Sequence, residues 1–302
     1  MKKIIAPILC LIAAMIWGFA FTAQKNAAIL PAFTVGAARN IFATLFLLVL
    51  IPILDKLGFN KELNSKRKSF FSKQELIGGI ICGFILTSAS AFQQIGLGDG
   101  TDAGKAAFIT ALYVVLVPII SAFLGKRTPL HVWISVGIAA VGFYFLCIKG
   151  DFSITPSDLL VLVCSIIFAL HIIAIDHFIP YSDGVRMSCV QFLTAFVLNL
   201  ILALIFELPI DFSAALSALP ALLFLGIGSS GIAYTLQIVA QRDINPTVAS
   251  IIFSLESVFG VVGGALVLGE TMTLREYIGC IIVLFAVILS QLDFKQIIKK
   301  KG

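Results

Sequence analysis

Charge is what this sequence has least of. Of its 302 residues only 21 are Lys or Arg and 16 are Asp or Glu, 12% together, about half the roughly 25% of an ordinary water-soluble domain. That shortage excludes a soluble globular fold. A disordered chain is excluded as well, because it would be poor in Leu, Ile, Val and Phe, whereas 60% of this one is hydrophobic and its mean hydropathy is +1.08. The formal net charge is +5, but the basic residues sit in tails and loops rather than in one patch, so no nucleic-acid partner is expected.

Catalytic and cofactor motifs are scarce too. There is no His-Glu-x-x-His pair, no Gly-x-x-x-x-Gly-Lys phosphate loop and no Asp-rich diphosphate motif, so neither a cofactor, a metal nor a built-in ATP motor is expected. Gly96-Leu97-Gly98-Asp99 matches the string of intramembrane aspartyl proteases, which need a second buried acid to share a proton with the first. Asp99 falls at the outer end of a span and no Tyr-Asp pair occurs, so the chain is read as no enzyme. The six cysteines, Cys10, Cys82, Cys147, Cys164, Cys189 and Cys280, lie in apolar runs without metal-type spacing and are read as packing residues.

What the chain has in abundance is long apolar runs. They place spans at 4–23, 33–54, 75–97, 105–124, 130–148, 157–177, 186–206, 217–240, 246–268 and 274–292. Runs of about 20 residues without period-two alternation are membrane helices, and in hydrocarbon such helices satisfy their own backbone. The first run, after Lys2 and Lys3, lacks a clear small-x-small cleavage site and is read as a retained helix. With the N-terminus inside, 16 of the 21 Lys and Arg fall in inner segments, Lys25, Lys105, Lys149 and Arg275 in outer ones, and Arg39 within a span. The bias puts both termini in the cytoplasm. The basic 55–74 loop, with Lys56, Lys61, Lys66, Arg67, Lys68 and Lys73, is read as a topology determinant meeting anionic lipid.

Sliding the sequence on itself by 144 positions brings Gln93 onto Gln237, Asp99 onto Asp243, Leu124-Gly125 onto Leu268-Gly269 and Trp133 onto Tyr277. At a slightly different offset Ile16-Trp17-Gly18 lines up with Ile167-Phe168-Ala169. Five helices per copy is an odd number, so the second copy runs upside down. The loop after Gly125 reads Lys126-Arg127 and its counterpart after Gly269 reads Glu270-Thr271, a charge reversal that the flip requires. The expected fold is therefore an all-α integral membrane protein, ten transmembrane helices in two inverted five-helix repeats, residues 1–148 and 149–302. Inverted repeats of this kind mark secondary transporters, with the substrate site near the midplane between the copies.

The stretches AAMIWGFAFTAQKNA (13–27), AFQQIGL (91–97), AGKAAFITALYVVLVPIISAFLGK (103–126) and SIIFSLESVFGVVGGALVLGETMTLREYIGCIIV (250–283), in this order and spacing, resemble the EamA type of the drug/metabolite transporter superfamily. The resemblance implies a bacterial-type inner-membrane transporter with a central cavity, and leaves the solute open. The family often has an acid after the glycine in both repeats, where this first repeat has Lys126.

Polar residues inside the spans are the candidate site. Glu256 lies near the middle of the ninth span with Gly260 and Gly263 on its face and Gly264 beside them. A carboxylate at that depth must face protein or water, so it reads either as a proton- or cation-carrying group or as a fixed acceptor holding the bundle. Gly79, Gly83, Thr87, Ser90 and Gln94 form a small and polar stripe on the third span, and Gly226, Ser230, Ala233, Gln237 and Gln241 one on the eighth, together read as the walls of one cavity. Trp17 and Tyr234 suit its aromatic wall, and Thr110 with Tyr113 supplies hydroxyls. His171 reads first as a neutral packing residue and second as a site group. Arg39 reads first as a snorkelling cation and second as a group that attracts an anion, and Pro118 as a bend in the fourth span.

The functional expectation is a secondary transporter working by alternating access, lined by helices 1, 3, 4, 6, 8 and 9. It would move a small polar or zwitterionic metabolite, with export as a family-level leaning. Its partners are that solute and the lipid bilayer, with no oligomeric state implied. The alternative is a non-transporting receptor or scaffold, whose interior would be filled by large apolar side chains.

Overall fold

The computed structural model describes residues 2–59, 69–101, 103–147, 154–268 and 273–291, and these contain helices and no strand. They are α1 (Lys2–Ala27), α2 (Ala32–Lys56), α3 (Lys73–Gly98), α4a (Ala103–Ala111), α4b (Tyr113–Phe123), α5 (Leu130–Cys147), α6 (Pro156–Phe178), α7 (Gly184–Phe206), α8 (Leu219–Gln241), α9a (Pro246–Phe253), α9b (Glu256–Leu268) and α10 (Leu274–Gln291). Nine of the described helices, counting α4 and α9 as one each, are long and apolar enough to cross a membrane, and α5 is the shorter tenth. A short helix, Phe212–Ser217, precedes α8. The expected spans match these to within a few residues. The charge contrast at Glu270-Thr271 and residues 60–68 of the basic 55–74 loop lie outside the described residues.

Capping chemistry sets the helix starts. Ser72 with Glu75 and Thr155 with Asp158 form reciprocal capping boxes at α3 and α6, and Thr273 with Glu276 does the same at α10. Asp183 accepts from the amides of Val185 and Arg186 at α7. At α2 the residue before the first turn is Pro31, which offers no side-chain cap. Glu207 from the end of α7 takes the Phe33 and Thr34 amides instead, at 2.8 and 2.7 Å. These acids quench the orphan donors of helix N-termini, which sets Glu256 apart.

Helix pairing repeats with a step of five. The contacts α2·α7 and α5·α10 map onto themselves, α3·α6 onto α8·α1, α3·α7 onto α8·α2, and α1·α9 onto α6·α4. Glycines allow the close seams. A Cβ on Gly18 of α1 would lie 2.4 Å from the Phe259 Cβ of α9b, and one on Gly79 of α3 would lie 2.5 Å from the Val190 Cβ of α7. Large apolar side chains such as Leu45, Val49, Phe84, Phe285 and Ile288 are exposed on the outside of the bundle, where a bilayer would solvate them. The described cysteines, Cys10, Cys82, Cys164, Cys189 and Cys280, are free and buried.

Both α4 and α9 are broken, at Leu112 and at Ser254-Leu255. Shifted by 144 positions, Ser254 and Leu255 fall on Thr110 and Ala111, so the interruptions lie within two residues of each other in the two copies. The bend expected at Pro118 is thus found earlier, because the chain tightens there into three-residue turns: Leu112 N–H to Ile109 O and Val115 N–H to Leu112 O. Pro118 sits inside α4b. Side chains take up carbonyls near the end of α4a, with Ser165 donating to Thr110 O at 3.0 Å and Ser257 to Ala107 O at 3.4 Å. In α9a the hydroxyls of Ser250 and Ser254 bond back to Thr247 O and Ile251 O, a pattern that bends helices.

Candidate functional site

The two breaks flank a polar cavity. It is lined by Trp17, Phe21 and Gln24 of α1, Arg39 of α2, Ser90 and Gln93 of α3, Thr110 and Tyr113 of α4, Phe168 and His171 of α6, Ser229, Tyr234 and Gln237 of α8, and Phe253 and Glu256 of α9. Six of the contributing helices are those expected from the sequence; α2 is the addition. Positions related by the repeat meet here from opposite halves: Trp17 with Phe168, Ser90 with Tyr234, and Gln93 with Gln237.

Glu256 is the first residue of α9b and Tyr113 the first of α4b. The Tyr113 hydroxyl donates to Glu256 Oε1 at 3.1 Å. Glu256 is 7% exposed. The Trp17 and Tyr234 rings lie 4.7 Å apart and tilted, and Trp17 meets Phe253 edge-on at 5.5 Å, while Trp17 Nε1 donates to Ser229 O at 3.3 Å. These rings make one rigid wall.

The Nε2 of His171 lies 2.9 Å from Gln191 Oε1, and the ring also lines the cavity. Its Nδ1 is buried without a hydrogen-bond partner. Gln237 donates to Gln241 Oε1 at 2.9 Å, and Gln241 donates to Ile172 O at 2.8 Å, so Oε1 of Gln237 also stays unpartnered.

Two expectations need correction. Gln94 is buried but does not line the cavity; Gln93 does, and it donates to Thr110 Oγ1 at 3.1 Å. The repeat register carried the signal, since Gln93 and not Gln94 falls on Gln237. Arg39 does not snorkel. It is 8% exposed, with Nε donating to Ser230 Oγ and Nη2 to Ser229 Oγ, both at 3.1 Å. The reason is a π-helical stretch in α8, Phe224–Tyr234. Its wider turn lets two consecutive serines reach one guanidinium, and Gly226, where a Cβ would fall 2.9 Å from Arg39 O, lets α8 approach α2.

A bundle of ten apolar helices, two of them broken at mid-length around a polar cavity, has the architecture of a membrane carrier. The EamA-like transporter family model matches residues 4–148 and 155–292, and the chain belongs to that family. It is a multi-pass membrane transporter. An uncharacterized transporter of Archaeoglobus fulgidus is 30% identical over 293 residues, spanning 96% of this chain and 87% of that one. Another, from Methanothermobacter thermautotrophicus, is 25% identical over 205 residues, 64% of this chain and 57% of that protein. A crystal structure of another protein superposes with a TM-score of 0.75 at 17% identity, covering 94% of this chain and 96% of the other, and so shares the fold.

Proposed function

We propose that the protein is a secondary transporter that carries a small polar metabolite, an amino acid or a similar solute, by alternating access. Two halves, residues 1–148 and 149–302, rock around the central cavity. Both termini lie in the cytoplasm and the direction is export, the first from the charge bias of the loops and the second from family resemblance.

One observation carries this reading. The cavity is walled from both halves at the points where α4 and α9 break. A rocking motion about such a site exposes it to one side and then the other without moving the solute far. The receptor or scaffold alternative expects an interior filled by apolar side chains, and here the interior keeps Glu256, His171, Gln93 and Gln237 around empty space. Trp17, Thr110, Tyr113, His171, Tyr234, Gln237 and Glu256 contact the solute, and Glu256 is the coupling carboxylate, facing Tyr113 with Arg39 and His171 on the same cavity.

Solute flux in proteoliposomes with Glu256→Gln tests it. The amide keeps an acceptor for Tyr113 but cannot titrate, so transport falls and loses its pH dependence. Flux and pH profile equal to wild type remove the coupling role.

A further inference from the structure

We infer that Arg39 is the docking point for a carboxylate of the transported solute, so that the cavity selects zwitterions and holds them in one orientation. The inference rests on the transporter reading and adds the chemistry of its substrate.

Arg39 is a buried guanidinium whose hydrogen-bond partners are two neutral hydroxyls, Ser229 and Ser230. No carboxylate lies within ion-pair distance of it among the described residues. Arginine has five N–H donors in a planar fork and stays charged; two donors are taken and three remain. A buried cation without an anion is unfavourable unless something supplies one. The cavity it lines is where a solute carboxylate can supply it, bidentate in the manner arginine favours.

Other lining groups suit a cationic end. Glu256 adds a carboxylate with one oxygen on Tyr113, Gln237 Oε1 is a buried acceptor without a donor, and His171 Nδ1 is a buried ring nitrogen without a partner. The unused donors of Arg39 thus stand on α2, and these groups on α6, α8 and α9. A molecule with a carboxylate at one end and an ammonium at the other answers both sets at once; a plain amine or a plain acid answers one. The serines hold the guanidinium in place: the π-helical turn aims both hydroxyls at it, which leaves its position set before any solute arrives.

The test uses purified full-length protein and two matched sets of probes: leucine, isoamylamine and 4-methylpentanoate, and phenylalanine, phenethylamine and 3-phenylpropionate. Binding is read by thermal stabilisation and titrated to an affinity. Wild type is expected to bind the zwitterion of at least one set more tightly than its amine and its acid. Arg39→Gln is expected to weaken the zwitterion by about tenfold or more while leaving the amine unchanged, since a lost bidentate charge contact acts on one end only. If Arg39→Gln does not fold, Arg39→Lys keeps the charge without the fork and still weakens the zwitterion selectively. A merely structural arginine would weaken all three probes together. Equal binding of amine and zwitterion by wild type, no response to either zwitterion, or an unchanged preference in both variants overturns the inference. Flux separates the two readings: transport of the zwitterion by wild type and Arg39→Gln alike leaves the carrier standing and removes Arg39, whereas no transport of any solute removes the carrier.

Discussion

The hydroxyl of Tyr113 and the carboxylate of Glu256, 3.1 Å apart, join the first residues of the two half-helices that follow the breaks. This is a contact between the halves of the molecule at the depth where solute would sit. Tyr113→Phe removes the donor and leaves the ring. A buried hydrogen bond contributes about 0.5–1.5 kcal/mol, so the variant is expected to unfold at lower temperature in detergent and to carry solute more slowly. Unchanged melting together with unchanged flux would show that the contact matters for neither.

The α1–α9b seam gives a sharper steric test. A Cβ on Gly18 would stand 2.4 Å from Phe259 Cβ and 2.8 Å from the Gly260 amide nitrogen, and backbone cannot step aside. Gly18→Ala should therefore destabilise by about 1–3 kcal/mol through overpacking. Gly137 of α5 has nothing within 4 Å of the added atom, and Gly137→Ala should be neutral or slightly stabilising, since alanine is the better helix former. Thermal unfolding of the two variants side by side checks the contrast, which fails if they melt alike.

At the end of the bundle where α7 begins, Arg186 reaches Asp55 at the end of α2, the Phe70 carbonyl at 3.0 Å and the Phe70 ring at 5.3 Å. Its side chain is 5% exposed and that of Asp55 34%. Removing the buried partner strands more polar groups than removing the half-exposed one. Arg186→Gln is expected to cost about 2–3 kcal/mol and Asp55→Asn less than about 1. Denaturation of both variants in one detergent decides the order, and an inverted order would show that the ion pair with Asp55 is the main contribution.

The sequence showed the helices well and their interruptions poorly, for a physical reason. Long apolar runs mark where helices lie, because the demand of the bilayer for apolar side chains acts along each span. The breaks at Leu112 and Ser254-Leu255 leave no gap in hydropathy, and the serines that support them do so from α6 and α9, far along the chain. Arg39 was misread for the same reason: whether an arginine snorkels or turns inward depends on α8, whose π-helical turn has no composition of its own. Gln93 was within reach, since the repeat register pointed to it and only the helical stripe pointed to Gln94. Most of the site was legible because burying Glu256, His171 and Gln237 in apolar spans is unfavourable without a purpose.

Whether a wet site at mid-depth is reached from both sides is measured most directly by thiol accessibility. In a background without the six native cysteines, Gln93→Cys and Gln237→Cys are labelled with a membrane-impermeant thiol reagent applied to one side and then to the other, with Gln94→Cys as the control outside the cavity. Both cavity positions should react from either side, and a transported solute should slow them while the control stays inert. Two cavity cysteines that react from neither side would contradict a carrier built around this space.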